Sequence, residues 1–173
     1  RGVTGLVAGG RGAGKTTALG SLLWELPPAA RALLIEDTPE LPVAALASAD
    51  RDVQRLRVGD DAEPTPSEAV RTALRLGGGA LVVGEVRGEE AAAVYEAMRV
   101  GATGETVLGT IHGADPTAVR ERVVTDLGVA PASFAATDLL VVMANHRVET
   151  IVEVIGRAGE VSFDAVFERT GEG

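Results

Sequence analysis

No cysteine occurs anywhere in the 173 residues, which excludes a disulfide framework, a thiolate metal site and a cysteine nucleophile. Aromatic residues make up only 3%, so a core must be filled by Ala, Val and Leu. No apolar run approaches the roughly 18 residues of a membrane-spanning helix, and no charged-then-apolar leader opens the chain. Lysine is almost missing: of 16 basic residues, Lys15 alone is lysine. A GC-rich genome and adaptation to a high-salt cytoplasm account equally well for that bias. With 25 acidic residues the net charge is −9, which is unsuited to sequence-independent contact with nucleic-acid phosphates.

What remains is ample for one folded domain. Hydrophobic residues reach 46%, enough for a buried core and contrary to disorder. The length suits a single domain. The chain begins without methionine and runs at once into a strand-like segment, as an excised domain of a longer protein would. A cytoplasmic setting fits these features.

Short apolar runs alternate with helical patterns along the chain. Val3–Ala8, Ala32–Ile35, Ala80–Val83 and Thr106–Ile111 read as buried parallel strands, with Val53–Val58 as a further candidate. Helices are predicted over Thr16–Leu26, stopped by Pro27-Pro28, and from Thr65-Pro66-Ser67-Glu68, a capping box, to about Leu76. Two more follow, over Glu89–Val100 and from Asp115-Pro116 to Leu127 with Gly128 past the end. Thr38–Pro42 reads as a Pro-rich loop. Leu139–Ala144 and Val148–Ile155 form a hairpin around Asn145-His146-Arg147, and a last strand lies near Val161–Phe167. The expectation is an α/β fold with a mainly parallel sheet flanked by helices and a C-terminal β-hairpin.

The segment Gly9-Gly10-Arg11-Gly12-Ala13-Gly14-Lys15-Thr16 fits the phosphate-loop pattern G-x-x-x-x-G-K-[ST]. Its glycines let backbone N–H groups curl around phosphates, and the helix that follows adds its positive dipole end. Lys15 would reach the β- and γ-phosphates, the Thr16 hydroxyl would ligate Mg²⁺, and Thr17 continues the loop into the helix. The only lysine therefore occupies the one position that demands it. A dinucleotide fingerprint fails on the same residues, because Lys15 stands where G-x-G-x-x-G needs its last glycine.

Hydrolysis of a bound nucleotide also needs a group that orients or deprotonates water. Glu85 follows the strand Ala80–Val83, and strand C-termini are where an open α/β sheet places its ligands. It can serve as base or hold Mg²⁺ through water. Glu36-Asp37 ends another buried strand in the same way, and His112 closes the strand Thr106–Ile111. His146 falls in the hairpin turn and reads as exposed.

Four blocks in order, Gly9–Thr17, Leu33–Leu41, Ala80–Glu90 and Gly101–His112, resemble the Walker A, Asp-box, Walker B and His-box motifs of the secretion and pilus-assembly ATPases. That superfamily serves type II and type IV secretion, type IV pili and the archaellum. Val83-Gly84-Glu85-Val86-Arg87-Gly88-Glu89-Glu90 with Gly109-Thr110-Ile111-His112-Gly113 is most similar to its archaeal branch. The resemblance implies one RecA-like motor domain over residues 1–173, without the N-terminal domain of a complete member. It implies ATP and Mg²⁺ as cofactors, with Lys15 and Thr16 in Walker A roles and Glu85 as the Walker B glutamate. Glu36 matches the Asp-box glutamate and His112 the His-box histidine; the base is either Glu36 or Glu85. It further implies a homo-hexamer on the inner face of the cell membrane, an integral-membrane platform protein as partner, and no direct nucleic acid. The implied function is Mg-dependent ATP hydrolysis that assembles a filament or secretes a substrate. A conjugation-type DNA or protein secretion ATPase and a nucleotide-binding regulator without turnover are the alternatives. Arg51, Arg55, Arg57 and Arg87 are candidates for contacts to a neighbouring subunit.

Overall fold

Strands buried on both faces can be stable only between two layers of helices, and this chain has several. The computed structural model describes residues 2–59, 64–101, 104–157 and 160–170. Within it β1 (Thr4–Gly9), β2 (Ala32–Glu36) and β4 (Ala80–Val83) are buried at every position. With β3 (Val53–Arg57), β5 (Thr106–His112), β6 (Leu139–Ala144), β7 (Arg147–Arg157) and β8 (Glu160–Glu168) they build one eight-stranded sheet. Its order is β3-β2-β4-β5-β1-β6-β7-β8. Every pair from β3 to β6 is parallel, and β7 and β8 close the sheet as antiparallel strands. The expected architecture is therefore the observed one.

Alternation along the strands sorts the core into two layers. Leu6, Leu33, Ile35, Leu81 and Val83 face α3 (Pro66–Leu76) and α4 (Glu90–Gly101). Val7, Leu34 and Val82 face α1 (Lys15–Glu25) and α2 (Val43–Ser48). Scarce aromatics are concentrated in the first layer, where Tyr95 stacks on Phe134 at 6.2 Å and Phe134 meets Phe163 edge-on at 6.3 Å. The buried Tyr95 hydroxyl shares a hydrogen bond with Thr137 (3.1 Å), and desolvation raises its pKa beyond the ordinary phenol value.

Helix ends follow the residues that signalled them. Leu26 is extended, as the position before a proline must be, and α1 ends there. Thr65 and Glu68 form the reciprocal capping box of α3. Three features were not anticipated. The short α2 buries only Leu46, too little periodicity to read from sequence. The helix from Asp115 is α-helical only over Pro116–Glu121 (α5), and Arg122–Asp126 widens into a π-helical turn, closed by Leu127 N–H bonding to Arg122. A 3₁₀ segment over Pro131–Ala136 carries Phe134 into the core.

Candidate active site

Four parallel strands deliver the site, all at their C-terminal ends, where the direction of the sheet leaves loops free. Gly9 of β1 lies beside His112 of β5, and Val83 of β4 sits between Ile35 of β2 and Gly109 of β5. The ends are stitched together: Gly84 N–H donates to the Ile35 carbonyl (2.8 Å), Val86 N–H to that of Thr110 (2.8 Å), and the Thr110 hydroxyl to that of Gly84 (2.6 Å). A side chain at Gly84 would press on Glu36, with its Cβ only 3.1 Å from Cγ. Thr110 is a positioning residue that sequence reasoning passed over, since a threonine in an apolar strand reads as filler.

The resulting cleft, about 490 Å³, gathers Arg11, Gly12, Lys15, Thr16, Glu36 and Glu85, and Thr110 and His112 line it too. The loop from Gly10 to Gly14 turns tightly into α1, and Gly14 holds φ at 94°, a left-handed value that a side chain would resist. Gly14 is also roofed by the β6–β7 turn: a Cβ there would lie 3.1 Å from Nδ1 of His146, whose N–H donates to the Ala13 carbonyl (3.1 Å). His146 is exposed, as expected, yet its backbone braces the loop. Ala13 is buried beneath the loop, whereas Thr17 faces solvent one turn into the helix.

Lys15 is only 8% exposed. Its ammonium donates to the carbonyls of Gly9 (3.1 Å) and Gly10 (2.9 Å). Burial lowers its pKa from the ordinary lysine value, and the negative charges of Glu85 and Glu40 oppose that shift. Glu40 is thus part of this site, which the sequence reading missed because it lies in a loop without a strand-end signature.

The two candidate carboxylates have opposite surroundings. Glu36 is 3% exposed. One oxygen accepts from the N–H groups of Glu40 (3.0 Å) and Leu41 (2.8 Å), and the other pairs with Arg55 Nε at 2.6 Å. Arg55 also donates to the Leu41 carbonyl (2.9 Å), so the pair anchors the loop that walls the cleft. The Glu85 side chain is 33% exposed and its Oε1 lies 3.0 Å from Nε2 of His112.

The arginines are mostly used within the chain. Arg87 pairs with Asp37 (2.7 Å), and Arg51 donates to the carbonyls of Leu26 and Trp24 at the end of α1. Arg57 is exposed. Buried Glu90 accepts from the N–H groups of Arg87 (2.6 Å) and Gly88 (2.9 Å), fixing the turn after Glu85. Residues 102–103 of the fourth block lie outside the described residues.

Chemically, a glycine loop at a helix N-terminus with a buried lysine suits a polyphosphate. The Thr16 hydroxyl and Glu85 carboxylate are hard oxygen donors in the same cleft. Among the described residues no group of three or more His, Cys, Asp or Glu side chains is placed to hold a metal. That donor set fits Mg²⁺, which usually relies on one or two protein oxygens plus substrate phosphates.

A Mycobacterium tuberculosis protein assigned by name to conjugal transfer is 38% identical over 117 residues, 68% of this chain and 33% of its own length. The type IV secretion system protein PtlH of Bordetella pertussis is 36% identical over 113 residues, 63% of this chain and 32% of that protein. The chain thus spans about a third of these relatives. The crystal structure of the VirB11 ATPase from the Brucella suis type IV secretion system superposes with a TM-score of 0.74 at 22% identity, over 87% of this chain and 48% of that one, a likeness of fold. Residues 2–165 match the profile of the type II/IV secretion system protein family, and the chain belongs to that family.

Proposed function

We propose that this domain binds Mg-ATP and hydrolyses it, and that in its complete form it works as a homo-hexameric motor of a secretion or filament-assembly machine. The observation that carries the reading is the convergence of Lys15, Thr16, Glu85 and His112 on one cleft. The loop N–H groups receive the β- and γ-phosphates, and Lys15 swings from its own loop carbonyls onto phosphate oxygen. Thr16 and Glu85, the latter through water, would hold Mg²⁺, which neutralises charge on the phosphate chain. Water attacks the γ-phosphorus while Glu85 takes its proton, and the bond to the ADP oxygen breaks. His112 holds the Glu85 carboxylate through its 3.0 Å contact. Glu36 is assigned to the cleft wall, because both of its oxygens already have partners.

The motor would sit at the inner face of the membrane against an integral-membrane platform protein; among the described residues no helix is long and apolar enough to cross a bilayer itself. The relative assigned to conjugal transfer supports a second reading, a conjugation-type secretion ATPase, which would use the same site. Steady-state ATP hydrolysis with Mg²⁺, at low and high salt, tests the core of the proposal. Turnover should vanish in Lys15→Ala and on chelation of Mg²⁺. A folded chain that binds no nucleotide would overturn it.

A further inference from the structure

Helices are shared unevenly along the sheet. On one side α1 packs on β1 and β5, and α2 on β3. On the other side the 3₁₀ segment Pro131–Ala136 packs on β7 and β8, where Val152 and Val154 enter the core. Alternation then sends Ile151, Glu153 and Ile155 of β7 away from that core, and none of the three is buried.

Strand register completes this outer surface. Val141 of β6, Ile151 of β7 and Phe167 of β8 stand side by side as one apolar row, and Phe167 is 45% exposed. In the next row Glu153 lies directly opposite Asp164. Like charges placed so are destabilising. Among the described residues no basic group comes within ion-pair distance of either carboxylate. Such a surface suits a partner that brings an apolar group and two cations.

The chain itself carries that counterpart. Helix α3 buries Ala69, Val70 and Ala73 and turns Arg71 and Arg75 outward, with Leu76 48% exposed beside them. Arginines four residues apart share one helix face at about 6 Å, close to the roughly 5 Å between residues opposite each other on paired strands. The only acid on α3, Glu68, has its Oε2 engaged by Thr65 in the cap.

We infer that a second copy of this chain docks here, with its α3 laid across β7 and β8. Arg71 and Arg75 then meet Glu153 and Asp164, and Leu76 packs on Phe167. The inference rests on the homo-oligomeric part of the function proposed above and names the surfaces that join neighbours. Within one copy those surfaces are far apart: α3 packs over β2 and β4 on one face of the sheet, and the β7–β8 surface is on the other face at the β8 edge. The contact is therefore head to tail, an arrangement that closes into a ring or runs on as a filament.

Sedimentation velocity of the 173-residue chain over a range of micromolar concentrations, at low and high salt, tests this. Self-association should rise with concentration and weaken with salt. Glu153→Arg with Asp164→Arg should weaken it at least about tenfold, and so should Arg71→Glu with Arg75→Glu. An equal mixture of the two variants should associate again, because every contact in it pairs opposite charges. Phe167→Ser should weaken association while keeping its salt dependence. Melting curves and MgATP turnover on the same samples report folding and the site separately. A wild-type chain that stays monomeric would overturn the contact and leave hydrolysis standing. Association that survives both double substitutions would overturn these surfaces and leave an oligomeric motor standing.

Discussion

Glu36 and Glu85 look alike in the sequence: each follows an apolar strand, and the two strands, β2 and β4, are hydrogen-bonded neighbours. Their environments differ completely. Glu36 is enclosed by two N–H groups and the Arg55 guanidinium, while Glu85 keeps a third of its side-chain surface in water and touches His112. A strand end brings a carboxylate to the cleft; the residues that cross over from other loops decide whether it holds the wall or stays available to a ligand.

Substitution at the available carboxylate should have the largest effect. Glu85→Gln keeps the shape and removes the base, so turnover should fall at least about a hundredfold while nucleotide affinity is nearly unchanged, as steady-state and binding assays would record. Persisting turnover in that variant would move the base back to Glu36. Next comes stability rather than rate. Glu36→Gln leaves Arg55 without its charge partner, and denaturant unfolding should register a loss of about 2 kcal/mol, below the range for a fully buried pair because Arg55 is partly exposed. If Glu36→Gln instead left stability intact and abolished turnover, the contrast between the two acids would be inverted.

His112→Ala should reduce turnover by about tenfold, the value of one oriented hydrogen bond to a charged group, and less than Glu85→Gln. An equal loss in both variants would mean that the pair acts as one unit. The smallest effect belongs to a third carboxylate remote from the cleft, Glu68 in the cap of α3. Hydrogen bonds from Thr65 hold its pKa below the ordinary glutamate value. A depressed folded pKa contributes stability above the unfolded value, and that contribution is lost as pH falls through the folded one. Thr65→Ala should therefore lower the melting temperature slightly at neutral pH, with the difference from wild type shrinking under acid.

Much of this contrast lay beyond the sequence. The phosphate loop was legible because backbone geometry there is local: glycines, one lysine and a helix start lie within eight consecutive residues. Strand ends were legible because strands buried on both faces leave unbroken apolar runs. Arg55 looked like a surface residue until β3 was paired to β2, which sets Arg55 beside Leu34 and within reach of Glu36. Glu40 and Thr110 fell within the matched blocks, yet nothing local gave either of them a role.

Periodicity, glycines and caps thus determined the α/β class, nearly all of the strands and helices, and the position of the loop, since each rests on interactions within a few residues. Strand order, the engagement of Glu36, the meeting of Glu85 with His112 and the bracing of the loop by the β6–β7 turn were decided by the tertiary structure. Those contacts join residues far apart in the chain. Only the assembled sheet fixes which of their polar groups find partners.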